Sequence, residues 1–231
     1  MNTDFFASSL FFGVFVSLLG YEAGLFLKKK TGLAIANPLL ISILFVIGIL
    51  LLFHIDYTTY DAGGVYLSYL LTPATVSLAV PLYKQIHLLR LHALAIAAAV
   101  TAGTLTSLVS VLLLSMVFRL EHAMYVTLLP KSITTAIGMG VSEELGGFVT
   151  ISVAVIIVTG VLGNVIGEWV FRLFRIKNRI ARGLALGTSA HAIGTSKAME
   201  LGEIEGAMSS LSIVTAGLLT VIGANIFSYL K

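Results

Sequence analysis

The sequence predicts an all-α polytopic membrane protein. Three observations carry that prediction. The 231 residues are 58% hydrophobic and 11% charged, with a mean hydropathy of +1.02, where a soluble domain carries about 25% charged residues. The apolar residues fall in separate runs of helix-spanning length, whereas a barrel would show alternation in ~10-residue segments. Several runs are interrupted by Pro or Gly together with hydroxyl residues. The absence of cysteine removes disulfides, thiol nucleophiles and thiolate metal sites. A formal charge of +3 in such a chain sets topology and implies no nucleic-acid partner. One integral membrane domain over 1–231 is expected, with halves 5–118 and 122–230.

Phe5 to Leu27 is too long and too poor in basic residues at its start for a cleavable leader, and it ends in Lys28, Lys29 and Lys30. It reads as a first span. Glu22 and Tyr21 snorkel beside the lysines. Leu33 to Phe53 is a second span with Pro38 in its tolerant first turns. HIDYTTYDAGG reads as a polar loop. Val65 to Tyr83 holds Pro73 and Pro81, with Thr72 just before the first and Thr75 and Ser77 between them, so it should be broken or sharply kinked. Leu91 to Phe118 is long and rich in small residues, suited to close packing. His122 to Val141 is interrupted at Pro130, and Lys131 sits near its middle. Phe148 to Phe171 closes with Glu168 and Arg172, spaced for a helix-end ion pair. The basic run Arg172, Arg175, Lys177, Arg179 and Arg182 marks a cytoplasmic loop. A seventh segment, Gly183 to Ala198, carries Gly187 and Gly194, and Ala207 to Leu230 is the eighth. Glu200, Glu203 and Glu205 read as solvated residues before its N-terminus.

A repeat lies under these segments. Setting Pro130 over Pro73, an offset of 57, aligns Ser132 with Thr75, Thr134 with Ser77 and Gly160 with Gly103. A further shift of 56 places Thr188 on Ser132 and Ala192, Ile193 and Gly194 on Ala136, Ile137 and Gly138. Orienting the basic loops inward gives seven crossings plus a re-entrant fifth segment, with the N-terminus outside and the C-terminus inside. Segments two to four and six to eight then run oppositely. Such an inverted repeat, with Pro/Gly-broken helices meeting near the midplane, is an arrangement of secondary transporters.

Broken helices expose N–H groups and the positive end of the dipole, which suits a carboxylate. The residues expected around them are Thr75, Ser77, Lys131, Ser132, Thr134, Thr135, Thr188, Ser189, His191, Thr195 and Lys197, with Pro73, Pro81, Pro130, Gly187 and Gly194 as the breaks. An ammonium at membrane depth needs an anion or a carboxylate. Lys131 is therefore expected to meet the substrate, to pair with Glu143 or Glu144, or to snorkel. His191 is either a hydrogen-bonded core residue or a proton-coupling group, Glu143 and Glu200 being the other coupling candidates. Lys197 and Glu200 are spaced to pair with each other. There is no metal-ligand cluster, phosphate loop or catalytic triad pattern, so neither enzyme nor cofactor is expected.

Three blocks, LLTPATVSLAVPLY at 70–83, LLPKSITTAIGMGVSEELGG at 128–147 and GLALGTSAHAIGTSKAMELGEIEGAMSSLS at 183–212, resemble those of the LrgB/CidB family, and the resemblance covers essentially the whole chain. It implies a multi-pass protein of the bacterial cytoplasmic (inner) membrane. Members are described as antiholin-like or holin-like modulators of murein hydrolase activity and autolysis, commonly encoded with a small LrgA/CidA partner. Relatives include the plastid glycolate/glycerate translocator and bacterial proteins linked to pyruvate or acetate movement. The implied function is transport of small monocarboxylates, by a homo-oligomer such as a dimer embedded in lipid. The alternative is an oligomeric membrane protein acting on autolysis.

Overall fold

A computed structural model describes residues 11–32, 36–77 and 79–231, apart from the side chains at 71, 72, 75, 81 and 82. The start of the first span, part of the approach to the second, and the side chains of Thr75 and Pro81 thus lie outside the described residues. All regular structure among the described residues is helical. The chain divides into two compact units, 1–77 and 78–231.

In the first unit α1 (Phe12–Thr31) packs against α2 (Pro38–Leu52) and α3 (Tyr57–Ser68). Helix α1 ends because Gly32 adopts φ 65° and returns its N–H to Lys28 O at 2.8 Å, with the three lysines at the negative end of the dipole. Asn37 starts α2: its side chain accepts from Leu39 N and Leu40 N at 2.8 and 3.2 Å, and Pro38 takes the first helical position. Gly13 lies against the Tyr60 carbonyl and Gly24 against the Pro38 backbone, leaving no room for a methyl group. The stretch expected as a polar loop is therefore largely helix α3. Its Gly63 and Gly64 are tolerated because α1 approaches that backbone so closely. Pro73 falls in the seven-residue α4 (Leu71–Ser77), which ends the unit.

The second unit opens with two short helices, α5 (Ala79–Lys84) and α6 (Ile86–Leu91). The proline-bearing third segment is thus made of short helices, with Pro73 inside α4 and Pro81 inside α5. Among the described residues, three helices are long and apolar enough to cross a membrane: α7 (Ala93–Val117), α10 (Val149–Leu173) and α12 (Glu203–Ser228). Their 25, 25 and 26 residues make them about 37–39 Å long. Helices α7 and α12 run parallel, Ile96 clustering with Ala207 and Met208 at one end and Leu108 and Val111 with Ala224 at the other.

Between the long helices are two elements that fold back. The first consists of α8 (His122–Leu128) and α9 (Thr135–Glu144). Pro130 has no N–H to continue the α8 ladder, and the chain turns through 129–134. Thr127 and Ser142, from the two arms, come together on Ser152 of α10. The second is α11 (Arg179–Leu201), nominally one helix but non-helical at Ala190 and His191. Ala198 packs on Leu186, Gly194 lies against the Leu186 carbonyl, and Arg179 reaches Glu205 at 3.1 Å. A straight helix would hold Arg179 and Leu201 about 33 Å apart, so α11 is a hairpin with both ends on one side. This corrects the expectation that the seventh segment, Gly183 to Ala198, is a through-going span. It also corrects the expectation that the C-terminus lies on the same side as the basic loop: α12 starts beside Arg179 and ends where Lys231 Nζ donates to Ser115 O and Leu120 O, at 2.7 and 2.6 Å, at the far end of α7.

Candidate functional site

The two hairpin tips hold the polar residues. At the first, the peptide after Pro130 is turned, Lys131 N donating to Leu128 O at 3.2 Å and Ile133 N to Pro130 O at 3.3 Å. The Lys131 Nζ donates to Ser132 Oγ at 3.0 Å, and Ser132 Oγ lies 3.1 Å from Ser107 Oγ of α7. Lys131 makes no ion pair with any described carboxylate. Glu143 and Glu144 are exposed at the distant end of α9. The extended Thr134 precedes α9 and supplies no side-chain cap, so the first N–H groups of that ten-residue arm, beginning at Thr135, have no side-chain acceptor there.

At the second tip His191 is 3% exposed and adopts φ 43°, a left-handed conformation that L side chains rarely take. Its Nε2 lies 3.0 Å from Ile156 O. Because a carbonyl only accepts, Nε2 is the protonated nitrogen. Thr195 Oγ1 donates to His191 O at 3.0 Å and meets Ser209 Oγ at 2.7 Å. The break falls on Ala190 and His191 and not on the expected Gly187 or Gly194. Those glycines serve close approach: Gly187 sits under Ser209 and Ser212 of α12, and Gly194 under the opposite arm.

Two cavities flank the first arm of α11, of about 500 and 380 Å³. The larger lies along α7 from Ala99 to Ser110, the smaller along α10 from Thr159 to Phe171, and Lys131, Ala185 and Ser189 line both. Ser132 and Thr188 line the larger. Thr188 is 7% exposed and its hydroxyl has no partner, although Ser189 satisfies its own by donating to Ala185 O at 2.7 Å. Lining groups comprise one ammonium, several hydroxyls and no carboxylate. That donor set suits a small anion and repels a bare cation. The described residues contain no His/Cys/Asp/Glu group able to hold a metal.

Of the expected site residues, the cavities collect Lys131, Ser132, Thr188 and Ser189. Thr134 and Thr135 begin the adjoining arm, while His191 and Thr195 brace the second tip from behind. Ser77 lies in the first unit and donates to Ala74 O at 2.6 Å. Lys197 is occupied by two carboxylates, Glu168 at 2.5 Å and Glu200 at 3.2 Å. Glu168 therefore does not pair with Arg172, whose Nε reaches only the Glu168 carbonyl, at 3.4 Å. Glu205 is not a solvated cap residue but 2% exposed, receiving Arg179 Nε on both oxygens at 3.1 Å. Sequence reasoning missed Thr106, Ser107 and Ser110 on the cavity face of α7. Their signal was present as hydroxyls recurring at helical spacing in an apolar run.

Comparison with known proteins follows the same whole-chain pattern. No solved structure matches this chain. It is 38% identical to the "Uncharacterized protein YwbG" of Bacillus subtilis (strain 168) over 93% of this chain and 97% of that one. To the "Antiholin-like protein LrgB" of the same strain it is 37% identical over 95% of each. The Bacillus mycoides (strain KBAB4) protein of that name is 35% identical over 92% of this chain and 93% of its own. The model of the LrgB-like family matches residues 17–230, and the chain belongs to that family.

Proposed function

We propose that this chain acts as an antiholin-like protein of a bacterial cytoplasmic membrane. The reading rests on the relatives of that name, similar along more than nine tenths of both chains. In this role it works with a small LrgA/CidA-like membrane partner, as a homo-oligomer such as a dimer, to restrain murein hydrolase activity and autolysis. It needs no enzymatic chemistry of its own. Comparing autolysis rates in a bacterium lacking its own copy, with and without this chain, tests the role; unchanged rates in the presence of a cognate partner would refute it.

The second reading concerns how it acts, and the unpaired Lys131 favours it. The chain carries a small monocarboxylate, such as glycolate, glycerate or pyruvate, between the two hairpin tips. An ammonium without a carboxylate, beside the orphan hydroxyl of Thr188 and the open N-terminus of α9, is complementary to one carboxylate. An inverted repeat of 122–173 and 179–228, in place of the one expected between segments two to four and six to eight, would support carrier architecture. In its support, Gly138 lies over Pro130 O as Gly194 lies over Leu186 O, at a sequence offset of 56. The contacts are reciprocal too: Gly160 of α10 faces Ile193 of the second hairpin, and Gly217 of α12 faces the equivalent Ile137 of the first. The hairpins enter from opposite sides, with α10 and α12 as the spans that follow them.

Uptake of labelled glycolate, pyruvate and lactate into proteoliposomes, with and without a proton gradient, tests the carrier. Saturable uptake lost in Lys131→Ala and Thr188→Ala is expected. Leakage of dyes larger than these acids, without saturation, would replace the carrier with a pore.

A further inference from the structure

The two hairpins are fastened at their mouths by different chemistry. At the first, Ser152 Oγ bonds Thr127 O and Ser142 Oγ at 2.8 and 2.7 Å, and Phe148 N donates to Thr127 Oγ1 at 2.7 Å. All three hydroxyl residues are within 1% of full burial. That mouth is sealed by neutral, satisfied groups. At the second, the fasteners are ion pairs. Arg179 holds Glu205 of α12, against which Gly183 also packs without room for a methyl. Lys197, on the returning arm, holds Glu168 of α10, whose side chain is 43% exposed.

Both cavities run along the first arm of α11 from the basic end of the molecule to Lys131. The larger begins at Ala181, two residues after Arg179, and the smaller at Val170 and Phe171, beside the Arg172–Arg182 loop. None of their lining residues belongs to the sealed first mouth. The tip of α11 rests on glycines, Gly103 under Thr188, Gly160 under His191 and Gly163 under Ala190. Smooth backbone of this kind interlocks less than branched side chains. Two neutral hydrogen bonds hold that tip to α10, His191 Nε2–H to Ile156 O and Asn164 Nδ2 to Ile193 O at 2.9 Å. They form a natural pivot. Lys197 lies six residues beyond His191, about 9 Å along the arm.

Resting on the reading that the Lys131 cavity takes a small anion, we infer that the α11 hairpin is the gate of that cavity and that the Lys197–Glu168 pair is the latch holding it open to the basic side. With the latch made, the returning arm is drawn onto α10 and space remains on both flanks of the first arm. Without it, the hairpin is free to swing about its tip into that space. The first hairpin, sealed by buried hydroxyls, stays fixed as the frame.

The chain contains no cysteine, so Ala185→Cys places a single thiol on the wall common to both cavities. The full-length protein in vesicles is treated with a membrane-impermeant thiol reagent from one side at a time. Labelling is expected from the basic side and is slowed by glycolate. Adding Lys197→Met or Glu168→Gln should slow it about threefold, the scale of one half-exposed ion pair, and open labelling from the opposite side. The exchanged pair Lys197→Glu with Glu168→Lys, made together with Glu200→Gln so that the new carboxylate does not face Glu200, should restore the original rate and also shows that the fold survives. Unchanged labelling in both single variants, or labelling from the opposite side alone in the parent, overturns the gate. A normal latch response with no protection by glycolate, pyruvate or lactate would overturn the anion reading and leave the moving hairpin standing.

Discussion

Gly194→Ala tests the fold-back of α11. An added methyl would fall well inside contact distance of the Leu186 carbonyl and 2.7 Å from Ala190 Cβ. The repeat-related Gly138 leaves 3.5 Å to Pro130 O, ordinary van der Waals contact, with only the flexible end of Ile156 in the way. To reach similar spacing the arms of α11 must part by on the order of 1 Å, and a backbone carbonyl cannot rotate aside as a side chain does. Overpacking of this kind costs about 1–3 kcal/mol, the upper end applying here. Against it stands a gain of about 1 kcal/mol from replacing glycine inside a helix. The net loss is about 2 kcal/mol, or about 4–8 °C in midpoint for a chain of this size. The assay is the fraction of monodisperse protein surviving a heating series in detergent. Gly140→Ala and Gly48→Ala, which meet nothing within 4 Å, should match or exceed the parent. A Gly194→Ala protein as stable as Gly140→Ala would refute the hairpin geometry.

Lys131→Met should raise the stability in anion-free buffer by about 1 kcal/mol, seen as a higher melting midpoint, because a part-buried ammonium without a counterion is removed. Glycolate should then stabilise the parent but not the variant in the same heating assay. His191→Gly should be less damaging than His191→Ala by about 1 kcal/mol, since both lose the bond to Ile156 O but only alanine keeps a strained positive φ. Ser152→Ala leaves Ser142 short of a partner at full burial and should cost about 1–3 kcal/mol. Arg179→Ala strands the buried Glu205 carboxylate. Thermal melts should show it to be more destabilising than the double variant with Glu205→Gln, because the second change removes the uncompensated charge.

The proline and glycine punctuation located both broken elements, because a missing N–H or a missing Cβ acts on the nearest turn of backbone. Pro130 stands at the tip it predicted. Gly187 and Gly194 bracket the second tip, but the strained residue between them is a histidine, held by a bond to Ile156 that lies 35 residues away. No local pattern announces such a bond. The direction of α11 was hidden for the same reason: 23 residues in one element have the length of a span, and the return is revealed by contacts such as that of Arg179 with Glu205. Hydrophobicity marked α7, α10 and α12 plainly, whereas the glycines of α3 read as loop until the α1 backbone beside them is seen. Of the cavity, Lys131 was legible from its cost at depth. The pairing that occupies Lys197 was only half legible, since Glu200 is its neighbour on the helix and Glu168 is not.

The dependence of α11 on its successor has a consequence for how the protein is made. Gly183 and Gly187 find their partners, Glu205, Met208, Ser209 and Ser212, on α12, which leaves the ribosome later. Until α12 has been threaded through the bilayer, the first arm lacks the wall that covers Gly183 and Gly187, although α7 and α10 already meet the tip, so the hairpin should wait at the membrane surface with its basic loop. Insertion would then proceed by folding inward against a completed wall rather than by partitioning as a separate span. Truncating a nascent chain before residue 203 should leave α10 embedded and α11 open to protease, and extending it past residue 228 should bury both arms together.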